Sequence, residues 1–357
     1  MHETARKAFV AALVFVAVVA AAFALWELRV LIALLFLAFT IAAAMRPGVD
    51  ALYRRGIPRG IGIGVHYLGL VTVVGLLLYF VIPSAIDQVN EAVPTSQAEL
   101  EEEAAASTGI KERILREVQQ RLDDLPTAEE VIDPAVEITV AAFEVAIGII
   151  LTLACAAYWI FERGRAQQLV LSLVPRRHVR LVRDTWDLID LKLGAYVRGQ
   201  LLLVMLVATV LSIAFWIIGL PFWLLIGAFA GVVEIIPVIG PIAAGALAVG
   251  VGFTVSWETA LAAGVIVTVV RLIEDYTVIP RVLGHATGLT PLTVLVSVAA
   301  VAVLFGGFAV LLAIPFAAVL ATLVDVVVRN RDPSREDVPT VIFPAKESET
   351  TGARSQR

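Results

Sequence analysis

Apolar residues along this chain gather in long blocks instead of the short alternations that mark half-buried strands or amphipathic helices. The first block covers 8–25 behind Arg6 and Lys7, and a second, 30–45, follows after only 26–29. A third occupies 60–82, a fourth 136–161, a fifth 199–219 and a further one 258–273. An α-helix needs roughly 20 apolar residues to cross the hydrocarbon core. The pattern therefore predicts an all-α polytopic membrane protein. Ala22-Phe23-Ala24 has the small-residue look of a signal-peptide cleavage site, but the second block follows so closely that a retained helical hairpin is the better reading.

Two apolar stretches have double length. Residues 222–253 make a run of 32 interrupted by Pro237, Gly240 and Pro241, and 292–324 make a run of 33 with Gly306 and Gly307 near its middle. Each can be one long kinked helix, for eight transmembrane helices in all. Alternatively, each can be two arms of about 15 residues, which at 1.5 Å per residue reach about 22 Å, short of the roughly 30 Å hydrocarbon core. The second choice gives about six full transmembrane helices plus two broken re-entrant hairpins. It also puts Arg271, Arg281 and His285 on the cytoplasmic side, so the positive-inside rule favours hairpins.

The polar segments complete the layout. After the helices of 1–82, segment 83–135 is acidic, with thirteen carboxylates against four basic residues, and Ile110, Ile114, Leu115, Val118 and Leu122 predict one amphipathic helix within it. The fourth helix, 136–161, leads into segment 162–198, which carries eight basic residues. Cytoplasmic loops collect Lys and Arg. Segment 162–198 and both termini are therefore expected inside, and 83–135 outside. Leu181, Trp186, Ile189, Leu193 and Tyr196 suggest that 162–198 holds an amphipathic helix lying on the inner surface. Residues 199–328 form the expected transport core, and 329–357 a disordered cytoplasmic tail.

Composition then narrows the function. The chain is 59% hydrophobic and 17% charged, with net charge -5. No basic patch suits a nucleic acid. The one cysteine and four scattered histidines provide no disulfide and no metal-ligand spacing. No phosphate-binding glycine loop precedes a lysine, which argues against ATP hydrolysis. No cofactor is expected, and no catalytic pair stands out.

An ionisable side chain at bilayer depth costs several kcal/mol, which makes each one a functional candidate. Glu234 leads, three residues before the Pro237 break; it can bind a cation or proton, accept hydroxyl hydrogen bonds from a substrate, or pair with an arginine. Arg271 and Asp275 are four apart and can pair on one helix face, with Glu274 beside them. Glu144 lies well inside the fourth block, seven residues from Glu137, facing an interhelical cavity or a subunit interface. Interrupted helices in corresponding positions point to a transporter's substrate site, because irregular backbone at membrane depth must be buried in protein or line a cavity. The candidate substrate-binding residues are thus Glu234, Pro237, Gly240 and Pro241 at one tip, with Phe305, Gly306 and Gly307 at the other. Glu234, Arg271, Glu274, Asp275 and Glu144 are the candidates for ion or proton coupling.

At this point several motifs in order resemble the AI-2 exporter (AI-2E) family of permeases. They are Gly194-Ala195-Tyr196-Val197-Arg198-Gly199-Gln200, Gly219-Leu220-Pro221, the run from Glu234 to Pro241, Ile279-Pro280-Arg281-Val282-Leu283-Gly284, Gly288-Leu289-Thr290-Pro291, and Leu304-Phe305-Gly306-Gly307 with Pro315. The resemblance implies a homo-oligomeric, pentameric secondary transporter in the cell membrane, with two helical hairpins moving in an elevator-like manner. It also implies export of a small hydrophilic molecule such as autoinducer-2, or sodium or lithium/proton antiport. Family members often carry Asn before the Ile-Pro pair, where this chain has Glu274-Asp275-Tyr276. A non-transporting membrane scaffold is the competing expectation of another class.

Overall fold

A computed structural model of the protein describes residues 2–92, 128–236, 239–282, 289–336 and 338. The amphipathic helix expected around 110–122, Pro237, and the Leu283 to Gly288 portion of the motifs lie outside the described residues. Regular structure is all helical, with no strand among the described residues.

The chain begins with α1 (His2–Glu27), passes through Leu28, whose amide still bonds the Ala24 carbonyl at 3.0 Å, and continues as α2 (Arg29–Arg54), which carries Pro47 inside it and so runs past the apolar block that ends at 45. Helix α3 is Arg59–Ala92 and α4 is Ala128–Ser172, so both ends of the acidic segment continue helices. A 3₁₀ turn, Arg176–His178, leads to α5 (Val179–Ile217). Then come α6 (Trp223–Val233), α7 (Ile239–Gly252) and α8 (Trp257–Ile273), the last extended by a π turn, Glu274–Val278, and by α9 (Ile279–Val282). After α10 (Pro291–Phe305), a 3₁₀ segment (Gly307–Leu312) feeds α11 (Ala313–Val327), and a short turn, Pro333–Arg335, follows.

Six of these segments are long and apolar enough to cross a membrane: Phe9–Glu27, Arg29–Arg54, Arg59–Pro83, Phe143–Ser172, Arg176–Ile217 and Gly307–Val327. The sixth differs from expectation. The crossing expected at 258–273 forms the 17-residue α8, about 26 Å at 1.5 Å each, which runs on through the π turn and α9 to Val282. Meanwhile Gly307–Val327, expected to be a half-length arm, is 21 residues long. The two double-length stretches are thus unlike each other. The first divides into arms of 11 and 14 residues, both too short to cross. The second divides into a 15-residue arm and a longer one.

The breaks have local causes. Gly219 (φ 69°) and Phe222 (φ 57°) turn the chain between α5 and α6. Gly306, at φ 93°, takes a backbone conformation that a side chain would strain, and its amide closes α10 on the Ala302 carbonyl at 3.0 Å. Thr290 caps α10, accepting the Thr293 amide, with Pro291 in the first turn where no amide partner is needed. Ser256 caps α8 by accepting the Thr259 amide.

Packing depends on small residues, as expected where the hydrocarbon solvent offers little drive to bury larger ones. In one cluster Val207, Leu211 and Phe215 of α5 meet Ile226, Ala230, Ala244, Ala248 and Ala263. Gly227 lies against Ser212 and Gly231 against Ala208, so α6 runs antiparallel to α5; Gly252 against Ala260 and Gly264 against Val249 set α7 antiparallel to α8. Helix α2 serves two further clusters, one with α10 and α11, the other with α3 and α4.

The segment expected as a surface helix is continuous with the fifth block. Nothing between Arg198 and Gln200 breaks the helix, so α5 runs for 39 residues, about 58 Å. Its N-terminal half is held by charge. Asp190, 4% exposed, receives Arg163 from α4 and Arg46 from α2 (2.9 Å), and Asp187 also binds Arg163. The tail expected to be disordered from 329 is instead packed through Glu336. Pro333 is buried, and Glu336 reaches the buried Lys192 of α5 at 2.6 Å, where Thr322 of α11 also accepts from Lys192 at 3.2 Å. In that turn the Ser334 hydroxyl and amide both donate to Asp332, which holds its carboxyl below the usual range.

Candidate functional site

Where α6 ends, Glu234 occupies the C-cap and its side chain is buried, 8% exposed. Directly across lies the end of α8. Arg271, Glu274 and Asp275 are three and four residues apart, so they share one helix face. The π turn that begins at Glu274 widens the helix there, a local distortion found often at functional sites.

Arg271 is the hub. Its Nη1 donates to Glu234 Oε1 at 2.8 Å and to Glu274 Oε2 at 3.3 Å, while Nε and Nη2 meet the Asp275 carboxylate at 3.1 and 3.0 Å. One guanidinium therefore faces three carboxylates. If all are ionised, the group carries two uncompensated negative charges. Glu274 is 3% exposed and its Oε1 is buried without a hydrogen-bond partner among the described residues. Such an acceptor is costly to leave unfilled at this depth. The shortfall is of positive charge or of a proton.

The backbone at the tip supports this arrangement. Gln200 on α5 donates to the Glu234 carbonyl at 3.2 Å, engaging an acceptor exposed by the helix break. A Cβ at Gly240 would overlap the Val233 carbonyl, so only glycine lets the start of α7 come this close to the end of α6. Glu234, Pro241, Arg271 and Glu274, with apolar residues such as Val207 and Val270, line a cavity of about 10 Å³. That is about the room that one water needs.

The expected residues are thus only partly brought together. Glu234, Gly240, Pro241, Arg271, Glu274 and Asp275 meet at one place. Phe305, Gly306 and Gly307 do not join them: Phe305 lines a separate apolar cavity with Phe36 of α2 and Phe316 of α11. In this structure the two tips lie apart, the second packing on α2 and the first among α5, α7 and α8. Glu144 is exposed on α4 beside Phe143 and Val145, away from the carboxylate group. His66 bonds within its own helix, Nδ1 donating to the Gly62 carbonyl at 2.8 Å, as a packing residue would.

Sequence reasoning missed two features. Gln200 stood out only as the end of the Gly194–Gln200 motif, and its 3.2 Å contact with the Glu234 carbonyl reveals the support it gives. The buried Asp190 passed as one of several acidic residues in a basic segment. Its regular spacing from Asp187 on a helix face was the available signal.

Comparison with known proteins decides the family. The profile of the AI-2E family transporter matches residues 13–329. The chain belongs to the AI-2E transporter family. It is 27% identical over 309 residues to "Putative transport protein YrrI" of Bacillus subtilis, covering 81% of this chain and 84% of that one. It is 25% identical over 341 residues to "Putative transport protein MT0215" of Mycobacterium tuberculosis, 91% of each. A second Bacillus subtilis relative, "Putative transport protein YueF", is 30% identical over 177 residues, 48% of this chain and 47% of that one. This AI-2E family member is a multi-pass membrane protein of a transporter family, and the carboxylate group lies in its family-matched region.

Proposed function

We propose that this protein is a secondary-active transporter whose Glu234–Arg271–Glu274–Asp275 group binds the proton or monovalent cation that drives, or is exchanged in, transport. One observation carries the reading: three carboxylates share a single guanidinium, with a buried Glu274 oxygen lacking a partner. One proton or monovalent cation fills the open Glu274 acceptor and halves the excess negative charge. The small cavity favours an ion over an organic solute in this conformation. Family membership supports a second cargo, a small hydrophilic molecule of the autoinducer-2 kind, exported at the expense of the ion gradient.

In this reading 222–253 is a re-entrant hairpin, and an elevator-like shift of it exposes the carboxylates to each side in turn. The two short antiparallel arms support the hairpin. The protein would lie in the cell's inner membrane with both termini cytoplasmic and would work as a homo-oligomer, expected to be a pentamer. The exposed Glu144 on an apolar face of α4 supports a subunit contact, since lipid is a poor neighbour for a carboxylate. No enzymatic step is proposed.

Proteoliposomes with an internal pH dye test the proposal. An inward sodium or lithium gradient, or a gradient of autoinducer-2, should move protons, and both Glu234→Gln and Glu274→Gln should reduce that flux at least tenfold. Flux unchanged in both variants would remove the site from transport. No flux of any cargo in the wild type would favour a scaffold.

A further inference from the structure

A second cavity, of about 270 Å³, lies between α2, α10 and α11, apart from the carboxylate group. Ala33, Phe36, Val301, Phe305, Ala309 and Phe316 are among its lining, and every side chain that lines it is aliphatic or phenyl. Apolar cavities of this kind do not hold water. The segments that enclose it include two of the candidate membrane spans, Arg29–Arg54 and Gly307–Val327, so its surroundings supply hydrocarbon.

A charged group stands above it on the same helix face. Arg29 precedes the lining residues Ala33 and Phe36 by one and two turns, which puts it about 10 Å along α2 from Phe36. Its guanidinium stacks over the Trp26 ring, 4.4 Å from the centroid, and donates to the Trp26 carbonyl at 3.4 Å. Trp and Arg at the end of a span mark the membrane-water interface. Going from interface to interior, this face offers a cation and then an apolar slot. That order matches a phospholipid, anionic at one end and alkyl below it.

We propose that this cavity binds one anionic phospholipid, with an acyl chain between α2 and the α10–α11 pair and its phosphate on Arg29. The chain would lie against Phe305 and Ala309, on either side of the Gly306 turn. Anionic lipid thereby becomes a ligand of the second broken element. The proposal concerns a site distinct from the carboxylate group, and it is read by binding, so it stands or falls independently of the ion-coupling reading.

The test is native mass spectrometry of the delipidated full-length protein titrated with phosphatidylglycerol, with diacylglycerol of the same chains and inorganic phosphate as separate arms. The wild type should retain one phosphatidylglycerol per chain. Ala309→Phe and Val319→Phe, which fill the slot, should weaken retention at least tenfold; Val319 is only partly buried and serves if the Ala309 variant does not fold. Arg29→Gln should weaken phosphatidylglycerol severalfold and leave diacylglycerol unchanged. The proposal is overturned if the wild type retains no phosphatidylglycerol, if both filled variants retain it undiminished, or if inorganic phosphate alone displaces it.

Discussion

At the residue scale, Arg271 holds the carboxylate group together, and its removal should be felt more than the loss of any one partner. Breaking a buried ion pair from one side leaves charge without compensation and costs about 3–5 kcal/mol. Arg271→Ala should lower the melting temperature of the detergent-purified protein, and adding Glu234→Gln should restore part of the loss. A double-mutant cycle with no coupling between the two would mean that their 2.8 Å contact is energetically silent. Glu234, Arg271 and Asp275 were legible in the sequence because charges at bilayer depth are rare. Their meeting was less so. Helical spacing pairs Arg271 with Asp275, but nothing in spacing brings Glu234 across 37 positions to the same guanidinium. The buried Lys192 was similarly opaque, since its partner Glu336 is 144 positions away.

At the element scale, the first broken stretch was readable from its length and its proline and glycine interruptions, and the structure divides it into two short arms. The second was readable only as broken. Its Gly306 turn falls near the middle, but the second arm runs on past the apolar run to Val327, which makes it long enough to cross. The continuity of α5 was hidden because Arg198-Gly199-Gln200 looks like a membrane boundary, whereas helix geometry carries straight through all three. The turn after α11 adds a tie that hydropathy cannot register. Glu336→Ala should leave the Lys192 ammonium with Thr322 alone and cost about 2 kcal/mol. The same change in a Lys192→Met background should cost less than half of that. Equal losses in both backgrounds, measured by thermal unfolding, would show that Glu336 acts without Lys192.

At the scale of the whole molecule, charge still has to choose the orientation. Arg46, Arg163 and Asp190 join α2, α4 and α5 at one end of the bundle, and the basic residues of Arg176–His178 lie near the same end in sequence. If that end is cytoplasmic, a cysteine placed at Arg281 in a Cys155→Ser background should react with an impermeant thiol reagent only from the inside. Labelling from outside would reverse the arrangement and turn the α6–α7 pair around with it. The glycine contacts carry a mechanical implication of their own. A side chain at Gly194 would overlap the Ala43 carbonyl, one at Gly227 or Gly231 would overlap α5, and one at Gly252 would overlap Ala260. These helices are meshed backbone to backbone, like teeth without clearance. Sliding one past its neighbour would require first lifting it off. An elevator-like shift of α6 and α7 would therefore have to carry the meshed helices α2, α5 and α8 with it, and the compliant joints are left to the π turn after α8 and the bend at Gly306.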